Sequence, residues 1–217
     1  MKITIALSAF LCAAALAAPV SAQVGPVSGP DEGPPATARL LFMVSDQSFA
    51  ARKTFETVLG KSLQPFWGGG LSVAFRNGLF VDVTASRLKK TGERAFFFEG
   101  QGYKLGIPLT VTITPLEVTA GVRFGLTPRV IPYAGAGFGS YRYQETSQFD
   151  DGPFEKRHVG YLVVGGVEFR VSGWVAVSAD AQYTKVSGII GSGGISKDAN
   201  ESDLGGTAGR FRVIVGR

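Results

Sequence analysis

The chain has 217 residues, 45% of them hydrophobic, with 30 glycines and a formal net charge of +5. No run of about 18 apolar residues follows residue 22, which excludes a membrane-spanning helix there. The lone cysteine, Cys12, excludes an intrachain disulfide, and the lysines and arginines are scattered rather than clustered, so nothing marks a nucleic-acid partner.

Residues 1–22 read as an export signal of Gram-negative type. Lys2 supplies the positive start, residues 3–18 the apolar stretch, and Val20-Ser21-Ala22 the small-residue cleavage site. Cleavage after Ala22 removes Lys2 and Cys12, leaving a mature chain with net charge +4 and no thiol. Residues 23–38 hold four prolines and three glycines and are expected to form a disordered linker.

From Arg39 onward the pattern has period two. Residues 39–45 (RLLFMVS) form the first strand, and 47–62 an outer loop. Phe55, Val58 and Leu59 lie at helical spacing within that loop, as in a short helix packed on a rim. Trp67, Gly69, Leu71, Val73 and Phe75 then share one face, opposite Ser72, Ala74 and Arg76. Asn77-Gly78 signals a two-residue hairpin turn. Leu79, Val81, Val83 and Ala85 alternate with Phe80, Asp82, Thr84 and Ser86.

Residues 108–124 read as one long strand. Leu109, Val111 and Ile113 alternate with threonines, then the apolar phase slips to Leu116, Val118, Ala120, Val122 and Phe124. A bulge at Pro115 accounts for the slip, since proline cannot donate to the ladder; two strands joined by a tight turn is the alternative. In 130–144, Ala134, Ala136 and Phe138 are assigned outward and the glycines inward. Val159, Tyr161, Val163, Gly165, Val167 and Phe169 alternate with His158, Leu162, Glu168 and Arg170. Val175, Val177, Ala179, Ala181 and Tyr183 alternate with Ser178, Asp180, Gln182 and Thr184. The last strand sets Phe211, Val213 and Val215 against Arg210 and Arg212.

The connections alternate in length. Those at 77–78, 125–129 and 172–173 are short; those at 87–107, 145–156 and 186–204 are long. Short periplasmic turns and long outer loops are the habit of transmembrane barrels. The expected fold is therefore all-β: an eight-stranded antiparallel up-and-down transmembrane β-barrel over 39–217. Closure pairs every backbone group without an edge, as hydrocarbon demands. One face is apolar; the other carries Arg76, Asp82, Glu117, Arg123, Glu168, Arg170, Asp180, Arg210 and Arg212. An eight-stranded barrel is only wide enough for side chains to fill it. These nine are expected to form an interior charge network, plugging the lumen. Tyr133, Tyr141, Tyr143, Tyr161, Tyr183, Trp67 and Trp174 are expected in the interfacial girdles.

PYAGAGFGSYRY (132–143), GYLVVGGVEFRV (160–171) and WVAVSADAQYTKV (174–186) resemble the outer membrane protein W family and the broader small outer-membrane β-barrel superfamily. The resemblance covers about 39–217. It implies an eight-stranded barrel and, in the W-type members, a route for small hydrophobic molecules.

The expected protein is thus a structural or interaction barrel of the cell outer membrane with exposed outer loops. The alternatives are a passive conduit for small hydrophobic molecules and, third, a lipid-modifying enzyme. The sole histidine, His158, is followed by Val159-Gly160 rather than a serine, so no catalytic, cofactor or metal site is expected. Expected partners are outer-membrane lipid and lipopolysaccharide, the barrel-assembly machinery and, under the conduit reading, small hydrophobic molecules. Export excludes nucleic acid.

Overall fold

The computed structural model describes residues 35–98, 101–125, 127–147, 154–192, 196–197 and 199–216. The expected signal peptide and most of the expected linker lie outside the described residues.

Among the described residues, eight strands form a closed antiparallel barrel in chain order: β1 (Ala36–Phe49), β2 (Leu63–Phe75), β3 (Leu79–Phe98), β4 (Gln101–Arg123), β5 (Val130–Ser147), β6 (Phe154–Arg170), β7 (Val175–Lys185) and β8 (Gly206–Gly216). Helix α1 (Arg52–Leu59) lies between β1 and β2. β1 pairs with β2 along one edge and β8 along the other, so the ring has no free edge at its seam. β1 opens at Ala36, inside the segment read as linker, because Ala36–Ala38 already pair with Phe75–Val73.

Alternation decides which side chains face out. Phe42, Leu71, Val83, Leu116, Phe138, Val163 and Phe211 are all exposed, while their chain neighbours point into the ring. The outward residues line up across strands, as in the rung Leu71–Val83–Val118–Phe138–Tyr161. A continuous apolar band of this kind is stable only against hydrocarbon.

The β2–β3 connection has three residues rather than two. Phe75 accepts a hydrogen bond from the Gly78 amide at 3.1 Å, and Gly78 takes the left-handed conformation at φ +86°. Asn77 instead accepts from the Leu79 amide.

The long strand departs from expectation. β4 pairs with β5 in unbroken register from Leu109 to Arg123, so Pro115 makes no bulge. The register shift lies between Glu93 and Ala95 on β3. Leu109, Val111 and Ile113 therefore face the lumen, in phase with Glu117. The apparent slip marks a change in what fills the barrel. The segment expected as a loop at 87–107 is instead a hairpin, β3 running to Phe98 and β4 starting at Gln101.

Candidate functional site

The lumen has two tiers. At the end bearing the short turns it is polar. Arg39 Nη1 donates to both oxygens of Glu168 at 3.0 Å, and its Nη2 to Ser72. Arg123 pairs with the same carboxylate. Asp180, fully buried, receives Arg210 Nε at 2.5 Å, Arg212 Nε at 3.0 Å and the Tyr133 hydroxyl at 2.6 Å. Arg212 also reaches Asp82 at 2.9 Å, and its guanidinium sits 5.0 Å from the Tyr133 ring centre. Glu117 accepts from Tyr141 at 2.7 Å and Gln182 at 3.1 Å, with Arg210 at 3.9 Å. Strand alternation makes this arrangement: every one of these residues occupies an inward position on its strand.

Four arginines thus face four carboxylates in this tier. A balanced set matters because each buried charge left alone costs several kcal/mol. Of the nine residues read from sequence as the network, Asp82, Glu117, Glu168, Asp180, Arg210 and Arg212 are buried, and Arg123 is half-buried against Glu168. Arg76 and Arg170 are exposed at the short-turn mouth, outside the buried set. Arg39 belongs to it and was missed. Its strand reads RLLFMV, apolar on both faces, which hides the phase that Leu40, Phe42 and Val44 set. A cleft of about 10 Å³, the room of about one water, remains between Arg39, Asp82, Arg123 and Arg212.

Toward the long connections the lumen is apolar. Phe55, Val58 and Leu59 of α1 pack with Phe49, Phe66, Leu88, Leu109, Val111 and Ile113 of the barrel wall. Val186, Ile189, Ile190 and Leu204 of the β7–β8 connection join the same cluster. Phe49 and Phe55 stack at 3.9 Å. Tyr133, Tyr141 and Tyr143 also point inward and are buried. They are not girdle residues, because each hydroxyl has a carboxylate to reach: Asp180, Glu117 and Glu145. Trp67, Tyr161 and Tyr183 are outward, and Trp174 is exposed in the turn ahead of β7.

Helix α1 has no side-chain cap of its own at Ala51. Glu201, on the β7–β8 connection, supplies one. Its carboxylate accepts from the Lys53 amide at 3.0 Å, the Thr54 amide at 2.8 Å and the Thr54 hydroxyl at 2.7 Å. Gly60, at φ +82°, ends the helix. On the hairpin side the helix comes so close that a Cβ on Gly92 would lie 2.0 Å from the Val58 carbonyl. The two connections and the hairpin thus form one outer cap.

His158 is exposed. Among the described residues, no three His, Cys, Asp or Glu side chains gather closely enough to hold a metal.

The model of the family described as "Outer membrane protein beta-barrel domain" matches residues 5–213. No curated protein matches the sequence. Among solved structures, Neisserial surface protein A superposes with a TM-score of 0.51 at 16% identity, covering 85% of this chain and 99% of that one. A major outer membrane protein from Thermus thermophilus gives 0.49 at 13%, covering 83% and 99%. At these identities the likeness concerns the fold alone.

Proposed function

The chain belongs to the outer membrane protein beta-barrel domain family, and on that premise we propose that it is a structural or interaction barrel, closed to solutes, that holds its outer cap and β3–β4 hairpin at the cell surface. The filled lumen carries this reading. Below, arginines and carboxylates pair across it; above, α1 and the β7–β8 connection fill it with apolar side chains. Opening a water-wide path means exposing that upper core, at roughly 1.5–3 kcal/mol per large side chain. Refolded protein in a planar bilayer should give no steady single-channel steps. Stable conductance steps would overturn the closed reading.

The passive conduit for small hydrophobic molecules, as in W-type barrels, is the second reading. One observation favours it: the upper lumen is lined by apolar side chains that a hydrophobic guest would wet. Uptake of a small alkane into protein-bearing vesicles, faster than into empty ones, would select it over the first. Outer-membrane lipid, lipopolysaccharide and the assembly machinery are the proposed partners under either reading.

A further inference from the structure

On the outward face, one ladder rung breaks the apolar band on one side of the barrel. Trp67 pairs with Arg87, Thr114 with Arg142, and Arg142 with Arg157. Arg87 falls opposite Thr114 in the register that runs from Ala85–Leu116 to Leu88–Ile113. The rung is therefore Trp67–Arg87–Thr114–Arg142–Arg157. The rung before it is apolar at Ala85, Leu116 and Val159, with Ser140 between the last two. The rung beyond is Lys89–Thr112–Gln144–Glu155.

Neighbouring side chains on each strand fix the facing. Leu88, Tyr141, Tyr143 and Leu162 are buried in the lumen, so Arg87, Arg142 and Arg157 point outward. The arginine rung lies about 7 Å along the strands beyond the last apolar rung, two residues at about 3.3 Å each. Because the strands tilt by about 40°, the rung is not level: Arg87 and Arg157 differ in depth by about 9 Å, so the arginines are spread through the headgroup layer beyond the apolar rungs.

Directly opposed like charges, such as Arg142 and Arg157, destabilise a sheet. Glu155 relieves one of them, pairing with Arg142 at 2.6 Å. Four cations face this single carboxylate, and Arg87, Lys89 and Arg157 have no carboxylate within ion-pair distance among the described residues. The opposite wall is different. There the outward residues at the same end are Asp46 and Ser48 on β1 and Thr207 and Gly209 on β8, with Lys185, on β7 beside Tyr161, as the cation.

We propose that the β3–β6 wall binds the phosphates of a phosphorylated outer-leaflet glycolipid through Arg87, Arg142 and Arg157, with Lys89 and Gln144 against its sugars. Adjacent strands lie about 4.8 Å apart, so the Arg87 and Arg157 backbones are about 14 Å apart. A headgroup with two separated phosphates meets both; a single phosphodiester meets one. The apolar rungs beneath receive the acyl chains, and Trp67 sits beside Arg87 at the boundary. This inference rests on the chain being a barrel of the outer membrane.

The test uses the whole protein refolded into phosphatidylcholine nanodiscs doped with bisphosphorylated lipid A, dephosphorylated lipid A or phosphatidylglycerol. Lipid retained by the protein is counted by native mass spectrometry over a titration. Each basic residue near an anionic headgroup is worth about a fivefold change in affinity, so Arg87→Gln/Arg142→Gln/Arg157→Gln should weaken retention about 100-fold. A control, Arg52→Gln/Lys53→Gln/Lys61→Gln, removes as many exposed cations from the outer cap and should stay within about twofold of the unaltered chain. Should the triple variant misfold, Arg87→Gln and Arg157→Gln alone should each lose about fivefold. Dephosphorylated lipid A and phosphatidylglycerol should be held far less well. Equal retention by the arginine variants, or phosphatidylglycerol held as tightly as lipid A, overturns the site while leaving the barrel. Failure of the unaltered chain to enter the bilayer overturns both.

Discussion

Asp180→Leu is the sharpest test of the lower lumen. Asp180 is buried, accepts hydrogen bonds from Arg210 Nε and the Tyr133 hydroxyl, and forms an ion pair with Arg212, whose Nε–H donates to Ser178. Removing one partner from a buried pair costs about 3–5 kcal/mol, because the other charge is left uncompensated. Here the loss is softened. Arg212 keeps Asp82 at 2.9 Å, and Arg210 keeps Gln182 and, at 3.9 Å, Glu117. The expected destabilisation is therefore at the low end, about 3–4 kcal/mol. Reversible urea unfolding in phosphatidylcholine vesicles measures it, followed by fluorescence of the exposed Trp67 and Trp174. The slope with urea should not change. A double-mutant cycle with Arg212→Met should return a coupling of about 2 kcal/mol. A loss under about 1 kcal/mol, or strict additivity of the two substitutions, would refute the argument that paired charges hold this tier together.

Three further outcomes follow from the same geometry. Trp174, in the turn just ahead of β7, and Tyr183 mark the two ends of the apolar span; nine residues at about 3.3 Å, tilted by about 40°, cover about 23 Å, close to the expected apolar band. Ala179 is outward at the middle of that span, so Ala179→Arg should cost about 2–4 kcal/mol in the same unfolding assay, and Val177→Arg, nearer the short turns, less. Glu201→Ala removes the cap on α1 and should cost about 1–2 kcal/mol locally. Hydrogen exchange should then speed up in α1 while the strand amides stay protected, and unchanged α1 exchange would argue against the clamp. Gly92→Val places a side chain against the Val58 carbonyl and Leu59. It should lift α1 off the hairpin, read as new protease cleavage within Arg52–Leu59; an intact, resistant helix would count against the close approach.

Much of the fold was legible from local pattern. Strand alternation is a period-two property of neighbouring residues, and the alternation of short and long connections gives the up-and-down order. Those two facts alone yield eight strands and the outward identity of residues such as Leu71, Phe138 and Val163. The polar lower lumen was partly legible too, since Asp82, Glu168, Asp180, Arg210 and Arg212 interrupt apolar strands on one phase.

The upper lumen was decided only by the closed ring. Leu109, Val111 and Ile113 look like a lipid face, yet they meet α1 and the β7–β8 connection. Tyr133, Tyr141 and Tyr143 look like a girdle, yet their hydroxyls meet carboxylates brought across the barrel or along the strand. An apolar side chain reports that its surroundings are dry. It does not report whether the dry medium is hydrocarbon or folded protein, because both exclude water alike. That distinction exists only once distant segments share one enclosed space.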